Sequence, residues 1–211
     1  MNNSQDQAVN HHADHPGFAG LTGLAAGLVM LLTGRARARL PVEVASVSGA
    51  DRVVDIGCGP GSSVRLAARR GAQVIGVDPA PVMLRLARTF TRGHPAISWS
   101  HGAVEDLPVP DAWATVVWSV ATVHHWRDVT AGLTEVRRVL GPGGKFLAIE
   151  RVVRAGATGL ASHGWTDGQA QSFADQCRAA GFDAVRIDRR AYGRRHVRWI
   201  VQGASNRSAA V

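Results

Sequence analysis

Arg52-Val53-Val54-Asp55-Ile56-Gly57-Cys58-Gly59-Pro60-Gly61 decides the fold, because a strand pattern here runs straight into a glycine-dense turn. Val53, Val54 and Ile56 are β-branched and read as a buried strand. The three glycines let the backbone turn tightly and approach a ligand closely. Ser62 and Ser63, both good N-cap residues, stand ahead of Val64, Leu66, Ala67 and Ala68. A helix should therefore follow, its free N–H groups pointing back over the glycines. Such a turn is a cradle for a nucleotide.

The order Gly57-x-Gly59-x-Gly61 departs from the G-x-G-x-x-G dinucleotide fingerprint, which disfavours an NAD oxidoreductase. A second strand, Gln73-Val74-Ile75-Gly76-Val77, ends in Asp78, where an acid can accept both ribose hydroxyls. Outward from this core, strands are expected near 52–56, 73–77, 96–100, 114–119 and 144–151. Helices are expected near 62–70, 80–91 and 128–140. That alternation belongs to an α/β fold with a parallel sheet and right-handed connections. A further helix over 167–180 precedes two strand-like runs near 182–190 and 196–202.

On these words the chain resembles the class I S-adenosylmethionine-dependent methyltransferases, in particular the small-molecule type 11 group. Residues 53–61 resemble that family's first motif, and Val77-Asp78-Pro79-Ala80 with Met83 its ribose and adenine edge. Glu105-Asp106-Leu107-Pro108 resembles the exit of its third strand, and Val116-Val117-Trp118-Ser119 with His124-His125-Trp126 its fourth-strand motif. Residues 135–144 resemble the helix and turn before its fifth strand. The resemblance implies a Rossmann-like fold: a mostly parallel seven-stranded sheet, helices on both faces and a C-terminal β-hairpin. It also implies S-adenosyl-L-methionine as cofactor, with Asp55, Gly57, Cys58, Gly59, Asp78, Pro79, Met83, Val104, Glu105 and Ser119 around it. Asp55 is expected to hold the glycine loop and the cofactor's charged end, not to act as a base. Ala103 stands where the family carries an aspartate near the adenine amino group, so that contact is missing. Ala114 replaces an aspartate that is commonly structural.

Composition bounds the rest. At 211 residues, 45% hydrophobic and 19% charged, the chain suits one soluble domain. Two cysteines make no disulfide framework, which fits a cytoplasmic setting. The net charge of +8 invites a nucleic-acid reading, but Lys145 is the only lysine and no nucleic-acid motif accompanies the arginines. Nucleic acid is therefore an unlikely partner on this reading. The Asn-Pro-Pro-aromatic word of base N-methylating enzymes is absent after the fourth strand.

Residues 1–16 are expected to be a flexible tail, with His11, His12 and His15 solvated for want of cysteine or carboxylate partners at metal-ligand spacing, and no metal is expected. Residues 17–47 are expected to form helices covering the cofactor cleft, residues 48–204 the catalytic domain and residues 205–211 a tail. In the uncharged run 17–34, Phe18, Leu21, Leu24, Leu28, Leu31 and Leu32 recur at helical spacing and should face the domain, while Arg35, Arg37 and Arg39 form a basic cluster at its end. A short helix is expected over 42–47. The glycine-diluted run 17–34 also leaves peripheral membrane contact open.

Methyl transfer mainly requires alignment of acceptor, methyl and sulfur. For a phenol or hydroxyl acceptor, His124 or His125 is the candidate base. Phe18, Trp126 and Trp165 are expected as apolar walls of the acceptor pocket. Three functions stay open: transfer to a small apolar or aromatic metabolite, transfer to a lipid or quinone at a membrane, and cofactor binding without turnover. The oligomeric state is open too.

Overall fold

The structure is a computed structural model that describes residues 8–14, 20–192 and 196–206. Its helices are α1 (Gly20–Thr33), α2 (Arg35–Val44), α3 (Ser62–Arg69), α4 (Pro81–Thr89), α5 (Val129–Val139) and α6 (Asp167–Ala179). Its strands are β1 (Arg52–Ile56), β2 (Gln73–Asp78), β3 (Ile97–His101), β4 (Ala114–Val120), β5 (Leu140–Arg151), β6 (Phe182–Tyr192) and β7 (His196–Ser205). They form one sheet in the order β3-β2-β1-β4-β5-β7-β6. β1 to β5 pair in parallel, and the β6–β7 hairpin joins β5 antiparallel.

Strand alternation sorts the side chains into two cores. Val54, Ile56, Val117, Phe146 and Ala148 face α5 and α6. Val53, Val116, Trp118, Leu147 and Ile149 face α2, α3 and Leu84 of α4. With both faces covered, the inner strands tolerate near-continuous apolar runs. The acid of β1, Asp55, falls on the α2–α3 side and pairs in register with Trp118. Because β1 sits between β2 and β4, the strand order reverses at the carboxyl end of β1, where open α/β sheets bind ligands.

Four expectations change. α2 begins at Arg35 and carries Pro41 inside it, so Arg37 and Arg39 are helical residues; of the expected helix 42–47 only residues 42–44 are helical, as the end of this longer helix. The first turn of α3 is capped by Gly61, at φ 76°, with no side-chain cap; Ser62 and Ser63 lie within the helix.

The largest change is in α1. Its glycines face the protein: Gly23 and Gly27 are buried and Leu24 packs on the cluster of Ala80, Val82 and Met83, whereas Leu28, Val29 and Leu32 are 42%, 57% and 80% exposed. A Cβ on Gly27 would come within 2.4 Å of Leu86 Cδ1 and 3.2 Å of Met83 Sδ on α4. The missing side chain lets the two helices approach, and Leu28 and Leu32 are left on the outer face. Phe18 lies outside the described residues, as does the side chain of Leu21.

Residues 8–14 also depart from the expected tail. Val9 is buried in the main core, its carbonyl accepting from Trp165 Nε1 at 2.9 Å, and Asn10 Nδ2 donates to Trp126 O at 3.0 Å. Gln169 Nε2 donates to Ala8 O at 2.9 Å. These bonds span more than a hundred positions of sequence, which no local pattern announces. His15 lies outside the described residues.

Gly27→Leu should cost about 1–3 kcal/mol by overpacking against Leu86 and Met83. Leu32→Ser, at an exposed position, should stay within about 0.5 kcal/mol of the parent. Urea unfolding of the two variants checks this, and the opposite ranking would mean that α1 docks by its leucine face.

Candidate functional site

The glycine loop is shaped by three close approaches. Gly57, at φ 67°, leaves no room for a Cβ, which would fall 2.4 Å from Thr122 Cγ2, and a Cβ on Gly61 would fall 2.2 Å from the Trp99 ring. Asp78 supplies the third. Its Oδ2 accepts from Gly59 N at 2.7 Å and its Oδ1 from Ala80 N at 2.8 Å, so one buried carboxylate ties the loop to the end of β2. Burial raises its pKa, against the lowering effect of those two N–H donors.

The cleft beside the loop encloses about 420 Å³ of empty space, part of it continuous with solvent. Asp55, Gly57, Cys58, Gly59, Ser62 and Ser63 line it on the sheet side, and Met30, Arg37 and Ala38 of α1 and α2 line it opposite. Gly59 is the loop's open face: its φ is 53°, and a Cβ there would meet only Met30 Sδ, at 3.9 Å.

Asp55 is the cleft's unusual group. Burial pushes its pKa to about 7; the Trp118 indole and the charge of Arg37 pull it down, and the charge of Asp78 adds to the rise. The indole Nε1 does not reach hydrogen-bond geometry with any partner, so its effect on Asp55 is weak beside burial. The Cys58 thiol, buried beside Asp78 and Asp55, is pushed well up and is no nucleophile at neutral pH.

The other expected cofactor residues make the following contacts within the protein. Pro79 offers its carbonyl to His101 Nε2 at 3.1 Å. Met83 packs beneath α1, and Val104 lies in the α5-side core. Glu105 Oε1 accepts from Arg127 N at 2.8 Å and Asp128 N at 3.1 Å ahead of α5. Ser119 is fully buried and hydrogen-bonds Thr122, whose hydroxyl also donates to Ile56 O at 3.3 Å. Thr122 thus joins the ends of β1 and β4.

Two residues beyond Thr122, His124 lies 2% exposed with Nδ1 donating to Oε2 of the fully buried Glu150, 3.0 Å away. The other carboxylate oxygen accepts from Val123 N at 2.9 Å. His125 is half-buried, its Nδ1 donating to His12 O at 3.2 Å, and burial pushes its pKa down to about 4. Both candidate bases therefore sit at the same sheet edge as the glycine loop. Glu150, at the end of β5, carried no sequence signal beyond its strand-end position. Trp126 and Trp165 pack with Phe173 in the core instead of walling a pocket.

Residues 54–148 match a family model described as a methyltransferase domain. Over these residues the chain carries a methyltransferase domain of the class I S-adenosylmethionine-dependent, type 11 kind. The chain is 33% identical over 114 residues to a demethylmenaquinone methyltransferase of Tropheryma whipplei, a match covering 53% of this chain and 46% of that protein. The chain thus spans about half the length of the curated relatives it matches. Among solved structures, a SAM-dependent methyltransferase from Aquifex aeolicus superposes with a TM-score of 0.71 at 14% identity, over 86% of this chain and 98% of that one. A phosphoethanolamine N-methyltransferase from Haemonchus contortus, solved with S-adenosyl-L-methionine, gives 0.74 at 15% identity, over 95% of this chain and 60% of that one. These two likenesses show the fold.

The methyltransferase domain fits its cofactor. The open Gly59 face leaves room for a ligand against the loop, and a carboxylate and a guanidinium stand together to meet a zwitterionic head group.

With its pKa raised, Asp55 makes stability depend on pH. Below about pH 4 it is protonated folded and unfolded and contributes nothing; as pH rises to about 7 only the unfolded chain loses the proton, so stability falls. The loss reaches at most about 4 kcal/mol, one unit being worth about 1.4. Urea unfolding at pH 5 and pH 8 should show Asp55→Asn losing less stability than the parent across that interval. Equal losses would place an ionised Asp55 in the free protein.

Proposed function

We propose that the chain transfers a methyl group from S-adenosyl-L-methionine to the hydroxyl or ring carbon of an apolar, aromatic small molecule. The single observation behind this is a ligand cleft and a carboxylate-held histidine at one sheet edge, linked by Thr122. When bound, the cofactor supplies an electrophilic methyl on a sulfonium. Asp55, Gly57, Cys58 and Gly59 line the cleft and would contact the bound cofactor. Arg37 would meet its carboxylate, and ionised Asp55 its positive end. Asp78, Pro79 and Ser119 act by holding the loop, and Met83, Val104 and Glu105 by packing and capping.

Glu150 holds the His124 ring with Nδ1 protonated, leaving Nε2 to take the acceptor's proton. Proton loss raises electron density on the acceptor oxygen and on the ring carbons beside it. Burial keeps His125 neutral, so it does not repel the incoming cationic cofactor.

A lipid or quinone acceptor at a membrane is favoured by one specific feature. Leu28, Val29 and Leu32 are exposed on α1, and Arg39 is exposed on α2. The demethylmenaquinone methyltransferase likeness supports the same class of acceptor. Among the described residues no helix is long and apolar enough to cross a membrane, so contact on this reading is peripheral.

Calorimetry should show S-adenosylhomocysteine binding and no comparable binding of NAD. Gly59→Val should abolish that binding with a native-like far-UV spectrum, and Asp55→Asn should weaken S-adenosylmethionine more than S-adenosylhomocysteine, which lacks the sulfonium charge. Labelled methyl transfer to a soluble short-chain hydroquinone and to a polyprenylated hydroquinone in anionic vesicles then separates the two acceptor readings. Cofactor binding without transfer to either would leave a binding protein; no cofactor binding would overturn the proposal.

A further inference from the structure

Five histidines from three distant segments meet at the carboxyl end of the sheet. His11 and His12 come from the N-terminal segment, His124 and His125 from the 3-10 turn Val123–His125 after β4, and His163 follows the turn Gly159–Ser162. His124 and His125 have ring centroids 4.2 Å apart, and His12 stacks on His163 at 4.3 Å. One ring nitrogen each from His124, His125 and His163 lies within 4.8 Å of the other two.

The hydrogen bonds of these three rings share one pattern. Each places Nδ1 against an oxygen that can only accept from it: Glu150 Oε2 at 3.0 Å for His124, His12 O at 3.2 Å for His125 and Gly159 O at 3.3 Å for His163. A carbonyl or carboxylate partner requires the proton on Nδ1, so each neutral ring carries its lone pair on Nε2. Metal-bound histidines are held this way: the second nitrogen donates to a carboxylate or carbonyl, which sets the tautomer and aims the ligand. His11 differs. Its Nδ1 and Nε2 lie 3.3 Å from Ala8 O and 3.0 Å from Ser162 O, so it braces the segment. His12 Nε2 is 3.0 Å from Ser162 Oγ, and its carbonyl positions His125.

The geometry points to a site for one divalent cation of the zinc class, bound through Nε2 of His124, His125 and His163. Imidazole ligands suit zinc, copper, nickel and cobalt over magnesium or calcium, and three neutral imidazoles leave a tetrahedral ion one open position. A hydroxyl or thiol filling that position would lose its proton to solvent under the ion's charge. In the loaded protein that position activates the acceptor in place of His124, whose lone pair is taken. Glu150 is a positioning residue for the ion, and the site stands whether or not methyl transfer does.

The test uses the full chain, freed of metal by chelator and titrated with Zn²⁺ alone. Expected are one ion per chain, a raised melting temperature, and a visible ligand-field spectrum when Co²⁺ replaces Zn²⁺. Glu150→Gln should keep that stoichiometry and weaken binding about 10- to 100-fold, the range for second-shell partners. His163→Ala should weaken it at least as much while leaving S-adenosylhomocysteine affinity unchanged, which separates this result from any failure of cofactor binding. Zinc affinity unaltered in His163→Ala would overturn the site. Should that variant fail to fold, X-ray absorption of the zinc-loaded parent decides: three imidazoles in the first shell support the site, and a shell of oxygen alone overturns it.

Discussion

The Asp78 carboxylate, buried at the end of β2 and accepting from the N–H groups of Gly59 and Ala80, is the interaction on which the cofactor end of this protein depends. A buried carboxylate is costly unless its oxygens are satisfied, and here the satisfaction comes from the turn it must shape. The loop is held at Gly59, cannot move toward Thr122 at Gly57, and is backed by the Trp99 ring at Gly61. Its one open face is the cleft. The same anchor removes Asp78 from the lining of that cleft, where Asp55 and Arg37 are the charged groups instead.

α1 and α2 complete the cleft through a different economy. Gly27 allows α1 to lie against Leu86 and Met83 of α4, which brings Met30 over Gly59 and places Gly34, Arg37 and Ala38 opposite the sheet. Close approach through glycine gains van der Waals contact along the backbone without apolar side chains. Leu28 and Leu32 are then left on the outer face, while Leu24 packs on Ala80, Val82 and Met83.

At the other end of the crevice, Glu150 orders the histidines. Its two oxygens fix Val123 and His124, the following residue reaches back to the carbonyl of His12, and the segment 8–14 is drawn onto the domain by further bonds to Trp126, Trp165 and Gln169. Removing the ring position of His124 would therefore disturb both the proposed proton acceptor and the docking of the N-terminal segment.

How much of this was legible without coordinates follows from the range of the forces involved. β-branched runs, glycine spacing and strand-end acids are local, so β1, the loop, Asp78 and the β1-to-β5 alternation could be read in order, and the domain's family with them. The hairpin and α6 were legible for the same reason. Helix orientation was not: on α1 both the glycines and the leucines recur at helical spacing, and only the close partner Leu86 decides which face turns inward. The histidine cluster was hidden because its members lie up to about 150 positions apart, and the carboxylate that orients them, Glu150, arrives from a separate strand. Tertiary structure alone decides such a meeting, since it depends on where β4 and β5 end in space and on what covers them.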